Sequence, residues 1–340
     1  MAKKKKEEDS SEKIGKDEID GVLNKKFGGV FLSADYLKSQ RKTVIEISPT
    51  IDMMLGGGIP SGSFVVISGK PGLGKSTLCL SFAAEAQKNG FKVYYLNVEG
   101  RLKTRDVNGI YGLDLSQDKF EIIGSVKGKI LSGEEYLDIL LSLVETKENC
   151  VFIVDSVSQL CSSGRHAANI ADRFRDDIPL MLASLTKRVS NILPVNNNIL
   201  MCITHIIANQ GGMPGSATTM EASGQKIQYQ ADVKMKATWA EAHEVKEKQV
   251  GQLVHWECSK SAIGPPGGKC TSLLRYGIGI DKYYDLLSMC VDIGLIKKSG
   301  SWFQFPDESK FQGLENAAEA LKANPDVYNQ IHKSFKELIS

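Results

Sequence analysis

From Ser63 to about Tyr276, short apolar runs rich in β-branched and aromatic residues alternate with longer stretches of helical composition. The runs are Phe64–Ile67, Val93–Leu96, Phe120–Ile123, Val151–Val154, Ile199–Thr204, Ala231–Lys236 and Leu253–Cys258. The first of them are almost continuously hydrophobic, the pattern of strands buried on both faces, and their alternation with helices predicts an α/β fold on a mainly parallel, twisted sheet. The last two flank a charged stretch from Glu241 to Lys248, which predicts antiparallel strands joined by an exposed loop. Upstream, residues to about Glu12 read as disordered. Ile14 to Phe27 has the spacing of a short amphipathic helix that stops at Gly28-Gly29, and Thr43–Ile47 reads as a strand. Ile51 to Gly58 ends in three glycines that turn the chain toward Phe64. From about Tyr284 the composition is mostly helical, with Trp302–Phe305 as a brief strand. The chain therefore divides into residues 1–50, a large core over 51–283 and a small α+β domain over 284–340.

Composition narrows the class. A net charge of +2 over 340 residues leaves polyanion binding to local patches. Seven scattered cysteines, none at C-x-x-C spacing, predict reduced thiols rather than a disulfide framework or zinc site. No apolar stretch is long enough to span a membrane. The N-terminal Lys3–Lys6 and Glu7-Glu8-Asp9 lack the apolar core of a signal peptide, so a cytoplasmic protein is expected.

The most informative stretch is Gly69-Lys70-Pro71-Gly72-Leu73-Gly74-Lys75-Ser76-Thr77, the phosphate loop G-x-x-x-x-G-K-[ST]. Its context is right: the Phe64–Ile67 run precedes it, and a helical stretch from Leu78 to Lys88 follows and stops at Asn89-Gly90. Backbone N–H groups of Lys70 to Ser76 can wrap a β-phosphate, with the helix N-terminus adding partial positive charge. Lys75 can reach the β- and γ-phosphates, and the Ser76 hydroxyl can ligate magnesium. ATP with Mg2+ is the expected ligand. The strand Val151–Val154 delivers Asp155 to the same place, the carboxylate that holds the magnesium shell. Glu99, at the tip of the strand ending near Val98, is the candidate for orienting the attacking water.

With these residues in view, the chain resembles the RecA recombinases. Asn97-Val98-Glu99-Gly100, Val154-Asp155-Ser156-Val157 and Ile203-Thr204-His205 are similar to that family's successive active-site elements. The phage-encoded members look most alike, since they often carry His where bacterial RecA has Gln. The likeness runs from about residue 20 to the end. Leu23 to Gly28 resembles the N-terminal polymerisation helix, and Trp302-Phe303 through Asn324-Pro325-Asp326 resembles the small C-terminal domain. The phosphate loop is shared with many ATPases; the order of elements is specific. The resemblance implies a DNA-dependent ATPase that forms a helical filament on single-stranded DNA and exchanges strands with homologous duplex. It implies Glu99 as catalytic carboxylate and His205 as the sensor of the γ-phosphate. It also implies a bacterial or phage-infected bacterial cytoplasm, with single-strand-binding and loader proteins as further partners.

Two segments interrupt the strand pattern. The first, about Cys161 to Pro179, interleaves Arg165, His166, Arg173, Phe174 and Arg175, a set suited to phosphates and a stacked base. The second, Ile206 to Ser223, is rich in Gly, Pro, Ser and Thr and reads alone as a flexible lid. By the resemblance it is a DNA loop. The amides around Gly211 and Gly212 and the helix start at Gly224-Gln225 would bind phosphates, and Ile206, Ile207 or Met213 would wedge between bases. No base-edge reader is evident, so binding independent of sequence is expected.

The chain also departs from the family. Of two lysines that reach a neighbouring subunit's ATP, Lys260 matches one and Cys258 stands at the other. The aromatic expected past Glu99 to stack on adenine is missing, and Arg101, Lys103 and Arg105 stand there instead. Gln228 replaces a Phe that relays between subunits. No acidic extension follows Ser340, so regulation without a screening tail is expected. Two other readings share part of the pattern. A ring-forming helicase would use the same core, but the N-terminal helix and compact tail oppose it. A non-catalytic mediator is opposed by intact Lys75, Ser76, Asp155 and Glu99.

Overall fold

In the computed structural model the strands are apolar on both faces because a core lies on each side of one sheet. Side chains alternate between the cores with the two-residue period of a strand. Val65, Ile67, Tyr95, Ile153, Met201 and Met235 enter one core, and Phe64, Val66, Tyr94, Leu96, Phe152 and Leu200 enter the other. A one-residue slip would exchange the two sets, so the register is fixed by packing. The structure describes residues 42–169, 177–208, 219–221 and 225–339, together with 21, 23–26, 28, 32 and 35. It divides into two compact units, Met1–Lys42 and Thr43–Ser340. In the first, residues 21 and 23–26 are helical, within the predicted amphipathic helix; the rest of that helix lies outside the described residues.

The second unit opens with β1 (Val44–Ile45), α1 (Pro49–Leu55) and β2 (Ile59–Pro60), the strands pairing antiparallel. There follow β3 (Phe64–Gly69), α2 (Lys75–Lys88), β4 (Lys92–Asn97), α3 (Thr104–Asn108), β5 (Phe120–Ile123), α4 (Gly133–Thr146), β6 (Cys150–Asp155), α5 (Ser163–Ala167), α6 (Ile178–Val195) and β7 (Ile199–Ala208). Then come β8 (Thr219–Glu221), α7 (Gln225–Gln230), β9 (Val233–Val245), β10 (Lys248–Ser261), β11 (Lys269–Arg275) and β12 (Gly279–Ile280). They build a ten-stranded sheet in the order β12-β11-β10-β9-β3-β7-β6-β4-β5, with β8 on β7. β9, β3, β7, β6, β4 and β5 run parallel, and β9 to β12 are antiparallel. The α/β, mainly parallel expectation is met. α2 covers one face through Leu78, Cys79 and Phe82, while α4 and α6 cover the other through Leu137, Leu140, Leu182 and Val189.

Several sequence expectations change. The stretch Glu241 to Lys248 is strand rather than loop, and only Lys246 and Glu247 turn, both at positive φ. Both faces of β9 are largely solvated there, so no apolar alternation marks it. Ile206 and Ile207 belong to β7, and 219–221 return antiparallel as β8, so the second loop is shorter than expected. The region from Ile51 begins as helix α1, and the glycines turn the chain only afterwards. Arg165 and His166 lie on α5, not in a loop, because Ser162 caps that turn by accepting from Arg165 N at 3.3 Å.

The tail begins with α8 (Lys282–Asp292), followed by a three-stranded sheet of β13 (Lys297–Ser299), β14 (Trp302–Gln304) and β15 (Lys310–Gln312), then α9 (Leu314–Ala323) and α10 (Pro325–Ile339). It has its own core of Leu286, Cys290, Phe303, Leu321, Ile331 and Phe335. One strand was predicted here and three are present; the other two are short and lysine-bearing, which masks them. The small domain is pinned to the large one at Asp285. This carboxylate, 1% exposed, accepts from Thr50 Oγ1 at 3.0 Å, Ser272 Oγ at 2.5 Å and Leu273 N at 3.0 Å. Burial pushes its pKa up to about 7 against the pull of those donors.

Candidate active site

Strand parity decides what meets at the sheet's C-terminal edge. Asp155 shares the face of Val151 and Ile153, and His205 that of Met201 and Ile203, so both side chains stand on the side occupied by α2. Gly69 pairs with His205, and Asn97 with Asp155, which sets the ends of β3, β7, β4 and β6 side by side. Ligands bind beyond such strand ends in open α/β sheets.

The phosphate loop spans the end of β3 and the start of α2. Gly69 is obligatory because a Cβ there would sit 2.9 Å from both Cβ and the carbonyl oxygen of Ala237. Gly74, at φ +73, is left-handed, and a Cβ on it would lie 2.2 Å from Leu274 Cδ1. Lys75, 5% exposed, turns its ammonium to the carbonyls of Gly69 at 3.0 Å and Lys70 at 2.8 Å. Burial lowers its pKa, with Asp155 and Glu99 opposing. Gln252 Nε2 braces the loop from β10 by donating to Gly72 O at 3.2 Å.

Ser76 Oγ donates to Asp155 Oδ2 at 2.6 Å, and the buried Tyr95 hydroxyl donates to the same oxygen. Burial raises the Asp155 pKa above the ordinary carboxylate range, and the Ser76 and Tyr95 hydrogen bonds oppose it. A desolvated carboxylate beside a hydroxyl is a pair of hard oxygen donors that a divalent cation would relieve, so the residues fit Mg2+. The Asp155–Ser156 peptide is cis.

Glu99 lies two residues past β4, with its N–H on Asp155 O at 3.1 Å. Its Oε1 accepts from Ser156 Oγ at 3.0 Å and meets His205 Nε2 at 2.5 Å, and Arg101 Nε approaches Oε2 at 3.9 Å. Burial pulls the Glu99 pKa upward, but the His205 and Ser156 contacts outweigh it and hold the pKa below the ordinary value. His205 N donates to Ser158 Oγ at 2.8 Å, and that oxygen lies 3.1 Å from Thr204 Oγ1.

These groups line one end of an open cavity of about 1100 Å³. Its lining continues through Arg101, Leu102, Arg105, Asp106, Gly109 and Ile110 and through Leu274 to Gly277 with Gly279. Arg101 and Leu274 stand beside Glu99 and Gly74, and Arg105 and Tyr276 belong to the remainder of the two segments. Of the basic residues expected near the base, Arg101 and Arg105 line the cavity and Lys103 does not. Tyr276, 54% exposed, supplies a rim aromatic that the sequence reading missed, being about 180 residues from Glu99 in the chain. Tyr95 and Ser156 were missed too; the parity of Tyr95 with Asp155 across the β4–β6 register was the available signal.

Gly69 to Thr77, Glu99, Asp155 and His205 therefore converge. Lys260 does not. It pairs with Lys234, which is level with Val66 of β3, ~10 Å along the strand direction from the loop, and its ammonium donates to Tyr229 O at 2.6 Å. Cys258 is buried in the core. Ile206 and Ile207 border the cavity as the last part of β7, and Ile207 is 47% exposed. Arg173, Phe174, Arg175, Gly211, Gly212, Met213 and Gly224 lie outside the described residues; Gln225 opens α7. Among the described residues no helix is long and apolar enough to cross a membrane.

Known proteins are similar to this chain in sequence. The RecA N-terminal domain family matches residues 18–281, and the RecA C-terminal domain family matches residues 284–340. Protein RecA of Caulobacter vibrioides is 29% identical over 326 residues, covering 94% of this chain and 87% of that protein. Protein RecA of Streptomyces rimosus is 29% identical over 301 residues, 87% of this chain and 78% of its own. Protein RecA of Ruminococcus albus is 26% identical over 320 residues, 92% and 77% respectively. With a phosphate loop, an aspartate and a glutamate meeting at the strand ends, and family matches over nearly its whole length, the chain belongs to the RecA family.

Proposed function

We propose that this RecA recombinase clasps ATP with its triphosphate between Lys75, Ser76, Asp155, Glu99 and His205 and its base between the Arg105 and Tyr276 walls. The protein is a DNA-dependent ATPase that assembles on single-stranded DNA and carries out strand exchange. The observation that carries the site assignment is the meeting of five chemically matched groups at adjacent strand ends, open to a cavity large enough for a nucleotide.

In this reading the Lys75 ammonium leaves the loop carbonyls for the β- and γ-phosphate oxygens. Ser76 and Asp155 would hold Mg2+, which would neutralise charge on the phosphates. Glu99, kept ionised by its partners, orients water toward the γ-phosphorus. His205 contacts both Glu99 and, through β7, the loop that follows. A γ-phosphate competing for His205 frees Glu99 for water and shifts the start of that loop, which links nucleotide state to DNA grip. DNA contact is assigned to Arg165, Arg173, Phe174 and Arg175 and to the second segment, Ile206 to Ser223, and is sequence-independent in character.

Lys260 lies out of reach of its own chain's cavity, so its part at ATP is across a protomer boundary in a head-to-tail, non-closing assembly. Residues 1–50 serve that contact, 51–283 form the ATPase core and 284–340 the small domain. Single-strand-binding and loader proteins are further partners, and a cytoplasmic site of action, including that of a phage-infected bacterium, suits this chemistry. Strand exchange with homologous and heterologous duplex, run beside phosphate release with and without single-stranded DNA, tests the reading. Exchange confined to homologous duplex and stimulated hydrolysis are expected. Absence of both would leave a mediator, and rings instead of filaments by electron microscopy would point to a helicase.

A further inference from the structure

The cavity wall that carries Tyr276 is held from behind by the small domain. Arg275, with only 12% of its side chain exposed, donates Nε to Asp281 at 2.7 Å and Nη2 to Glu315 Oε2 at 2.7 Å. Glu315 lies in the first turn of α9. Its other oxygen meets His243 Nε2 at 2.8 Å, and the His243 ring stands edge-on to Tyr284 with centroids 5.3 Å apart. One carboxylate thus gathers β9, β11 and the small domain.

The same helix reaches Tyr111, directly after Ile110 of the other lining segment. The Lys322 ammonium lies 5.3 Å from the Tyr111 ring centroid, and Tyr111 N donates to Ile278 O at 2.8 Å, tying the two walls together. Glu315 and Lys322 stand two helical turns apart, ~10 Å, so α9 spans the back of the cavity's base end. From the other side, α2 grips the same segment. Ser81 Oγ accepts from Ile280 N at 3.0 Å, and Glu85 meets Lys282 at 3.0 Å. The rim is tied to β10 at one point, where Tyr276 N donates to Val250 O at 2.9 Å and Gln249 Nε2 donates to the Tyr276 hydroxyl at 2.9 Å, while β12 is two residues long and pairs with β11 through Leu274–Ile280 and Arg275–Gly279. A guanidinium shared by two carboxylates at low exposure is far less screened than a surface pair.

We propose that Arg275 and Glu315 are positioning residues for ATP: through them α9 sets the base-end wall of the cavity, so nucleotide affinity depends on the small domain. By linkage, bound nucleotide tightens the docking of that domain in return. This rests on the cavity being the ATP site. Neither Glu315 nor Lys322 lines the cavity, so a change at either reaches the nucleotide only through the wall.

The test uses the full chain with ATP and Mg2+, read by calorimetric titration and steady-state hydrolysis. Wild type against Lys75→Ala first establishes the site; equal binding by the two, or none by wild type, overturns the site and the proposal with it. With the site established, Glu315→Ala is expected to weaken ATP binding and raise KM about five- to tenfold with kcat within about twofold. Phe303→Leu loosens the small domain's core without touching the latch and is expected to hold affinity within about twofold of wild type. Amide exchange in α9 is expected to slow on ATP binding in wild type and not in Glu315→Ala. A Glu315→Ala affinity within twofold of wild type, or a loss of the same size in Phe303→Leu, overturns the proposal while leaving the ATP site intact.

Discussion

The two ends of the cavity are built by different means. At the phosphate end every group is delivered by a strand tip or the loop joined to it: Lys75 and Ser76 after β3, Glu99 after β4, Asp155 on β6 and His205 on β7. Parallel strands in register fix those positions to within a hydrogen bond, so the geometry follows from the sheet. At the proposed base end the walls, 101–110 and 275–279, are connections and short elements, α3, the last residue of β11 and the start of β12, and what steadies them comes from β10, α2 and α9. In the proposed reading, chemistry that needs fixed charges sits on the sheet, and recognition of the base sits on segments that a second domain supports.

That contrast can be broken at either end. The largest effect is expected for Lys75→Ala, which should cut ATP hydrolysis on the order of a hundred- to a thousandfold in a phosphate-release assay. Its melting temperature should not fall, because the ammonium removed is one whose charged form burial disfavours. Glu99→Gln should slow turnover about a hundredfold while equilibrium titration still shows ATP bound. Rapid hydrolysis by this variant would take the water-orienting role from Glu99.

Behind the base end, Asp285 predicts a pH dependence of stability. Its folded pKa of about 7 lies above the ordinary 3.8, so the folded chain holds this proton more tightly than the unfolded one. The contribution is complete below about pH 4, declines as pH rises and is gone above about pH 7, amounting to a few kcal/mol at most. Asp285→Asn should lose that slope in denaturant unfolding measured between pH 4 and 8, and an unchanged slope would assign it to other groups. Tyr276→Ala is expected to have the smallest effect. It should weaken ATP binding roughly three- to tenfold, the worth of one aromatic contact, with kcat nearly unchanged. A loss as large as that of Lys75→Ala would erase the distinction between the two ends.

The phosphate end was legible because its signals are local. The glycine loop, the apolar run before it and the aspartate closing Val151–Val154 are short-range patterns, each with one physical meaning. Glu99 was legible from its place at a strand tip, and the resemblance implied its role as catalytic carboxylate and that of His205 as sensor. The hairpin of β9 and β10 was half legible. Its buried parts alternate correctly, but its solvated end carries charges on both faces and read as loop. Ile206 and Ile207 were assigned to a loop because the glycine-rich composition beyond them masked two more strand positions.

The sequence by itself determined an α/β ATPase of the RecA type, with its strands and phosphate-binding chemistry, since hydrophobic period and loop motif are written along contiguous residues. Only the tertiary structure decided that Tyr95 would share Asp155 with Ser76, that Tyr276 and Arg105 would line one cavity, and that Arg275 would be pinned by Glu315 from another domain. Those pairings join residues separated by tens to hundreds of positions, and no local pattern encodes which distant side chain folding will bring within hydrogen-bond reach.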